Sequence, residues 1–222
     1  MSAFGSVWDW LTTAAHWEGP GGIPTRLLEH IWYTCLAMAI STVIALPLGL
    51  LVGHTGRGTL LVEGVANAGR ALPTLGLLII VVIVSTSDLA PIIIPLVILA
   101  IPPILVNTAA GVREVDAELK DAARGMGMTG LGVLMRAEVP SALPLILLGL
   151  RTAAIQVVAT ATVAAYVGAG GLGAYIVSGL SLQDYGEVGG GSVLVILLAV
   201  AVQALFTLLG RFAVSPGVRG PR

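Results

Sequence analysis

Residues 31–53 read IWYTCLAMAISTVIALPLGLLVG, a run without Asp, Glu, Lys or Arg. Two further runs, 89–112 and 188–210, are equally free of these four residue types. Each exceeds the about 20 residues that a helix needs to cross a hydrocarbon core about 30 Å thick. Only helices or closed barrels satisfy their backbone groups in lipid, and these runs lack the alternation of barrel strands. The sequence therefore predicts an all-α protein, a polytopic transmembrane helix bundle.

The composition agrees with a membrane protein. Of its 222 residues, 56% are hydrophobic and 10% are charged, whereas a soluble domain carries about 25% charged residues. The single cysteine, Cys35, lies inside the first run, which excludes a disulfide framework. The first residues lack the basic and apolar regions of a cleaved signal peptide. We expect residues 1–26 to be an extracytoplasmic or interfacial extension.

We expect about five spans, and their limits are near 30–52, 64–85, 89–112, 141–166 and 191–212. Residues 152–183 carry no charge over a length greater than one span needs. This part is interpreted as the end of the fourth span followed by a re-entrant or surface segment, with a sixth crossing left open. We expect the transmembrane domain to cover residues 27–212 and a basic cytoplasmic tail to follow it at residues 213–222.

The basic residues predict the orientation, because cytoplasmic loops are rich in Lys and Arg. If the loop 113–140 is cytoplasmic, only Arg26 falls outside. The basic residues on the inner side are then Arg57, Arg113, Lys120, Arg124, Arg136, Arg211, Arg219 and Arg222. We therefore expect the N-terminus outside and the C-terminus inside. Aromatic residues, which favour the headgroup level, fall on the outer side: Trp8, Trp10, Trp17, Trp32, Tyr33, Tyr166, Tyr175 and Tyr185.

Several kinds of chemistry are excluded by the motifs. The GAGGLG of residues 168–173 matches a dinucleotide fingerprint, but it follows a membrane span rather than a strand of a βαβ unit. Its glycines instead suit a tight, non-helical backbone. Lys120, the only lysine, does not follow a glycine as a Walker A lysine does. No metal site is expected, since His16, His30 and His54 are scattered along the chain. No catalytic residue and no nucleic-acid partner is expected either.

Four polar residues within the spans are candidates for a translocation path: Arg70, Asn107, Arg151 and Gln156. A charge inside a span normally faces the protein interior or water. The two arginines alternatively extend to the cytoplasmic interface, and the two amides alternatively bridge helices by hydrogen bonds. The residues themselves favour the interfacial position for the arginines and helix bridging for the amides, and the path remains the functional alternative for all four.

The loop between the third and fourth spans, residues 113–140, has a pattern of its own. Apolar residues recur at helical spacing from Val115 to Met126, and Asp116 and Lys120 are placed for an i, i+4 pair. Gly125 and Gly127 end this helix. Thr129 caps a second short helix through Met135, and Pro140 ends that segment. The stretch predicts either a docking element for a partner protein or a helix folded back on the bundle.

The same loop resembles the EAA loop of ABC importer permease subunits. The resemblance rests on Asp121-Ala122-Ala123, on Gly127, and on Ala137-Glu138-Val139-Pro140. Asp121, Ala137 and Val139 depart from the usual residues but keep charge or apolarity. Four other stretches resemble the permeases of osmoprotectant importers: residues 70–74 (RALPT), 125–129 (GMGMT), 140–144 (PSALP) and 149–153 (GLRTA), together with the GAGGLG already described.

The resemblance implies a type I ABC importer permease of the bacterial plasma membrane. In such a permease the EAA loop forms the coupling helix, which implies an ATPase-coupling role for Asp121, Ala122, Ala123, Met126, Gly127 and Pro140. The implied partners are cytoplasmic ATPase subunits carrying ATP and Mg²⁺, an extracytoplasmic substrate-binding protein and a second permease, identical or paralogous. No cofactor is expected on this chain.

The substrate that this resemblance implies is a quaternary ammonium compatible solute: glycine betaine, choline, carnitine or proline betaine. Two alternatives remain at this stage. The first alternative is a methionine-type importer permease. The second is a non-transport membrane scaffold or enzyme with a partner-docking loop.

Overall fold

The computed structural model describes residues 3–71 and 73–214, and every regular element among them is helical. The first half contains α1 (Ala3–Thr12), α2 (Ile23–Thr55), α3 (Thr59–Ala71), α4 (Thr74–Val84) and α5 (Ala90–Arg113). The second half contains α6 (Ala117–Gly125), α7 (Gly130–Val133), α8 (Val139–Ala161), α9 (Gly173–Leu182) and α10 (Tyr185–Ala213). The end of the bundle that carries α6 is called the base below, and the end that carries residues 168–173 is called the rim.

The centre of the bundle consists of α2, α5 and α8, which pack on one another. Glycines allow these helices to approach closely, as small residues do between membrane helices. A Cβ atom at Gly49 of α2 would lie 2.7 Å from the Cβ of Thr108, and one at Gly149 of α8 would lie 2.8 Å from the carbonyl oxygen of Pro103. The prolines inside α5 do not break it, and α5 is the most buried of the long helices.

The predicted second span, 64–85, is not one continuous helix. It is divided between α3 and α4, which are separated next to Pro73. Proline lacks an N–H donor and disfavours a helical conformation in the residue before it, which explains the interruption. Only four helical segments of the described residues are long and apolar enough to cross a membrane alone: Ile23–Thr55, Ala90–Arg113, Gly130–Val167 and Tyr185–Ala213.

The pair α3 and α4 nevertheless extends from one end of the bundle to the other. Thr59 and Val62 line a hollow at the base together with Gly53 and Arg113. Ser85, which directly follows α4, lines a hollow at the rim. The prediction of about five crossings therefore holds if this discontinuous pair is counted as one of them.

The segment after the loop does not end at Pro140 as predicted. The chain is helical from Gly130 to Val167, with a π turn at Leu134–Glu138 and a 3-10 turn at Thr162–Val167. Pro140 is tolerated because it lies in the first turn of α8, where the π turn precedes it. The fourth span is thus a direct continuation of the loop.

The uncharged segment 152–183 does not contain a sixth crossing. After the 3-10 turn comes the non-helical rim loop, residues 168–172, and then α9, which has only 10 residues. A helix of that length covers about 15 Å, half of a hydrocarbon core. It packs against α10 instead.

From residue 3 onwards, the predicted N-terminal extension packs against the bundle. The helix α1 packs on α10, and Trp10 is 8% exposed in a cluster with Ile23, Leu172 and Tyr175. Trp10 and Tyr175 are therefore core residues, whereas Trp8, Trp17, Trp32, Tyr166 and Tyr185 are exposed. Most of the predicted basic tail, from residue 215 onwards, lies outside the described residues.

Candidate functional site

The first candidate site is the protrusion formed by α6, the glycine bend 126–129 and α7. The Asp116 side chain accepts a hydrogen bond from the Glu118 N–H at 2.9 Å and caps α6. Gly127 has φ 82°, a left-handed conformation that glycine adopts without strain, and it reverses the chain. The Thr129 hydroxyl accepts a hydrogen bond from the Gly132 N–H at 3.2 Å and caps the next helix. The helix, bend and cap are placed as the sequence predicts.

The residues with a predicted coupling role are distributed over this protrusion. Asp121 and Ala122 are exposed, while Ala123 is 3% exposed and packs with Val133, Ala137 and Met128. Asp121 forms an exposed pair with Arg124 at 3.3 Å. The structure thus brings Asp121, Ala122, Ala123, Met126 and Gly127 together, whereas Pro140 lies further along, in the first turn of α8.

An exposed apolar surface surrounds the bend. Met126 is 73% exposed and Leu131 is 69% exposed, and Leu119 and Met135 are also exposed. Residues 126–129 form an open hollow of about 1010 Å³ with Leu131, Gly132, Met135 and Arg136. Exposed apolar patches of this kind mark interaction sites.

The predicted pair between Asp116 and Lys120 is not formed. Asp116 is used as the helix cap, and the Lys120 ammonium group instead donates a hydrogen bond to the Val112 carbonyl at 3.1 Å. It also lies 3.9 Å from the carboxylate of Glu138, which accepts a hydrogen bond from His54 Nδ1 at 2.5 Å. Sequence reasoning did not assign a role to His54 and Glu138, because they lie 84 residues apart.

The second candidate site is a groove halfway along the bundle, beside the break between α3 and α4. Its volume is about 600 Å³ when the space open to solvent is counted, and it is lined by Ala66 and Gly69 of α3, by α5 between Leu99 and Asn107, and by Thr152 and Gln156 of α8. The Asn107 amide nitrogen donates to the Pro103 carbonyl at 2.7 Å, and the Thr152 hydroxyl donates to the Leu148 carbonyl at 2.8 Å. The side-chain oxygens of Asn107 and Thr152 can still accept hydrogen bonds, and the Gln156 amide is exposed. Polar groups therefore line this part of the groove.

The structure treats the four predicted path residues differently. Asn107 and Gln156 line the groove, so that two residues separated in the sequence share one surface. Arg151 is half-buried on α8 and is not among the groove-lining residues. Arg70 belongs to α3, but its side chain lies outside the described residues.

The rim loop is held by side chains of α2. The Gly171 N–H donates to Glu29 Oε2 at 2.7 Å, and the Leu172 N–H donates to His30 Nδ1 at 3.3 Å. His30 Nε2 then donates to the Val158 carbonyl at 3.0 Å. Gly168 and Gly171 have φ values of 79° and 80°, which confirms the interpretation of these glycines as a non-helical turn.

A hollow of about 910 Å³ lies beside this loop at the rim. The residues that line it include Tyr33, Asp88 and residues 168–170. Tyr33 is half-buried and Asp88 is exposed. Among the residues that the structure describes, no group of three or more His, Cys, Asp or Glu side chains is placed to hold a metal ion.

The sequence of this chain is similar to those of known transport proteins. A family model described as "Binding-protein-dependent transport system inner membrane component" matches residues 45–220. The glycine betaine/carnitine/choline transport system permease protein OpuCB of Bacillus subtilis (strain 168) is 32% identical over 192 residues, covering 86% of this chain and 88% of the relative. The carnitine transport permease protein OpuCB of Listeria monocytogenes is 36% identical over 175 residues, covering 79% and 80%.

Among solved structures, an inward-facing methionine ABC transporter, MetNI, is similar to this chain with a TM-score of 0.74. The sequence identity is 24%, and the match covers 86% of this chain and 95% of the other. At this identity the likeness concerns the fold, which is that of an ABC importer permease.

Proposed function

Since this chain belongs to the family of inner membrane components of binding-protein-dependent transport systems, we propose that it carries a quaternary ammonium compatible solute into the cytoplasm. The chain is a multi-pass permease subunit and not an enzyme. In our proposal, ATP is hydrolysed by a separate ATPase, and a binding protein outside the cell delivers the solute.

The observation that carries the proposed substrate is the similarity to relatives over most of both chains. The two relatives described above transport glycine betaine, carnitine or choline according to their names, at 32% and 36% identity. The rim hollow supports the same class of substrate, since an aromatic ring and a carboxylate attract quaternary ammonium groups. The methionine alternative has only a likeness of fold at 24% identity.

We propose that the base faces the cytoplasm. Basic residues concentrate there, in the loops and helix ends around α6, as they do in cytoplasmic segments. They include Arg57, Arg113, Lys120, Arg124 and Arg136. The rim, with its exposed aromatic side chains, then faces outwards.

The protrusion at the base suits the docking of the ATPase. Its exposed methionines and leucines surround an open hollow, while Ala123 anchors α6 against the chain beneath it. Asp121 and Ala122 are exposed on the same helix, where a partner can contact them. In this role α6 passes the movement of the ATPase to the bundle, which switches between inward-open and outward-open states as rigid bodies.

The groove halfway along the bundle suits the translocation path. Transporter sites form near the midplane beside discontinuous helices, and this groove lies beside the break between α3 and α4. A single chain leaves the groove open on one side, so we propose that a second permease, identical or paralogous, closes it. Arg151 and Arg70 remain candidates for its inner mouth.

The experiment that tests this function is uptake by the reconstituted complex. Proteoliposomes containing the permease and its ATPase, supplied with the binding protein, are given labelled glycine betaine, choline or methionine. We expect ATP-dependent accumulation of a quaternary ammonium solute. Accumulation of methionine alone would favour the rival importer, and no ATP-dependent uptake of any of the three would contradict the proposal.

The groove itself is tested by Gln156→Leu. This change removes an exposed amide from the groove at similar side-chain volume, so we expect the KM for uptake to rise about tenfold, the equivalent of one lost polar contact of about 1.4 kcal/mol. The matched control is Gln203→Leu, the same change on α10 at an exposed position. An equal response of the two variants would remove Gln156 from the path.

A further inference from the structure

Three polar side chains from distant parts of the sequence meet at the base, and they are called the base cluster here: His54, Lys120 and Glu138. Glu138 ends the π turn and is 1% exposed. One of its oxygens lies 2.5 Å from His54 Nδ1 at the end of α2, and the other lies 3.9 Å from Lys120 Nζ of α6. The side chains of His54 and Lys120 are 20% and 17% exposed.

The base cluster lies beside an apolar cluster but is not part of it. Glu138 is followed by α8 and preceded by Val133 and Ala137, which belong to an apolar cluster with Ala123. Burying a carboxylate costs free energy that its partners recover only with good geometry, and a buried pair is therefore weak evidence for stability. In several proteins, buried polar or ionic groups of this kind hold one arrangement of separate segments.

The position of Glu138 in a π turn points in the same direction. A π turn places an extra residue within a helix and occurs frequently at functional sites. Here it lies between the protrusion and α8, the helix that carries Thr152 and Gln156 in the groove. Movement of the protrusion that is passed along the chain to α8 goes through this turn.

Lys120 makes a second connection from the same position. Its ammonium group donates to the Val112 carbonyl at 3.1 Å and lies 3.5 Å from the Arg113 carbonyl, at the C-terminal end of α5. A cation is favourable there because the last carbonyls of a helix carry partial negative charge. Lys120 therefore links α6 to α5 directly and to α2 and α8 through Glu138.

The apolar attachment of α6 is small by comparison. Within Ala117–Gly125 only Ala123 is buried, and its methyl group is the single apolar anchor of the helix body. The base cluster is thus the main polar connection between α6 and the three central helices of the bundle.

From this placement we propose that the base cluster is the joint that transmits displacement of α6 to α2, α5 and α8, with Glu138 as its positioning residue. The inference rests on the proposed docking of α6 on an ATPase. If the joint is loosened, α6 still docks and the ATPase still turns over, but less of the movement reaches the bundle. The expected defect is a loss of solute transported per ATP hydrolysed.

The test uses Glu138→Gln in the complete complex, with uptake and ATP hydrolysis measured on the same proteoliposomes. The glutamine keeps the volume and an acceptor for the His54 N–H but removes the charge facing Lys120. We expect hydrolysis within about twofold of the wild type and about tenfold less solute per ATP, since a coupling free energy near 1.4 kcal/mol corresponds to that factor. Lys120→Met, which removes the other charge, should give the same defect.

Two further variants sharpen the interpretation. In the double variant Glu138→Gln/Lys120→Met the ratio should fall no further than in either single variant, because one joint is broken in all three. Glu114→Gln neutralises an exposed carboxylate at the nearby end of α5 and should leave the ratio unchanged.

The outcomes separate this inference from the proposed function. Absence of ATP-dependent uptake in the wild type contradicts the function itself. With uptake present in the wild type, a proportional fall of hydrolysis and uptake in both single variants, or no change in either, overturns the joint. If neither variant assembles with the ATPase, the cluster is structural only, and the joint is overturned as well.

Discussion

The two ends of α2 are each held by a histidine and a glutamate, but their bonding partners differ. At the rim, Glu29 and His30 accept hydrogen bonds from the backbone N–H groups of Gly171 and Leu172. At the base, His54 donates to the Glu138 side chain, which also faces the Lys120 side chain. One end of the helix holds a backbone loop, and the other joins side chains of separate helices.

This difference indicates which end is built to move. Backbone amides in a glycine turn have fixed positions, so the rim contacts determine one loop conformation. Side chains with several rotatable bonds can stay in contact with a helix that shifts and pass its displacement to their partners. We therefore expect substitutions at the rim to change stability, and substitutions at the base to change assembly and coupling.

The largest effect is expected from Gly127→Trp at the base. No heavy atom lies within 4 Å of the position that a Cβ would occupy, so the bulk projects into the surface proposed for the ATPase. We expect ATPase binding to the permease to weaken at least about tenfold, while the amount of permease in the membrane stays unchanged. Co-purification of the ATPase in detergent measures this effect.

The positive φ of Gly127 requires a control, because any side chain is strained in that conformation. Gly127→Asn supplies it, since asparagine tolerates the left-handed region better than other residues. We expect this variant to retain most of its ATPase binding. Equal losses for Trp and Asn would assign the defect to the bend itself and not to the contact surface.

A smaller effect, on stability, is expected from Gly173→Ala at the rim. The added Cβ would lie 2.2 Å from the carbonyl oxygen of Thr162, a backbone atom that cannot turn away. We expect a loss of about 3 kcal/mol in the free energy of unfolding, the upper part of the range for overpacking. Unfolding by a denaturing detergent measures this loss.

Gly168→Ala, in the rim loop that precedes Gly173, separates overpacking from backbone strain. Gly168 has φ 79°, but nothing lies within 4 Å of its Cβ position. Its replacement should therefore cost only the left-handed strain, about 1 kcal/mol. If Gly168→Ala costs as much as Gly173→Ala, close packing is not what fixes the rim loop.

The sequence predicted those parts of the molecule that depend on local patterns. The charge-free runs predict the bundle. The glycines after a polar helix predict the bend that follows α6, and the threonine before the next helix predicts the cap at Thr129. Local patterns failed where another element competes for a side chain. Asp116 caps its own helix, so Lys120 turns to α5 and Glu138 instead of forming the predicted i, i+4 pair.

Contacts between residues that are remote in the sequence were not predicted, for a different reason. His54 and Glu138 are 84 residues apart, and each alone is an ordinary polar residue near a helix end. Asn107 and Gln156 are path candidates because polar side chains in spans are costly, yet only the packing of α5 on α8 places them in one groove. Pro140 was expected to end a helix, and the preceding π turn makes it part of one.

The smallest effects are expected from two i, i+3 ion pairs, one at each end of the molecule. At the base, Arg124 and Asp121 are 59% and 76% exposed, so Arg124→Gln should change the free energy of unfolding by no more than about 0.5 kcal/mol.

At the rim, Arg26 and Glu29 are 28% and 33% exposed, and the same Glu29 oxygen also accepts the Gly171 N–H. Arg26→Gln should therefore cost about 1 kcal/mol, because the carboxylate that holds the loop loses its ionic partner. Denaturation of both variants side by side decides the point: equal losses would mean that the rim pair is as dispensable as the exposed one, and that the loop is held without it.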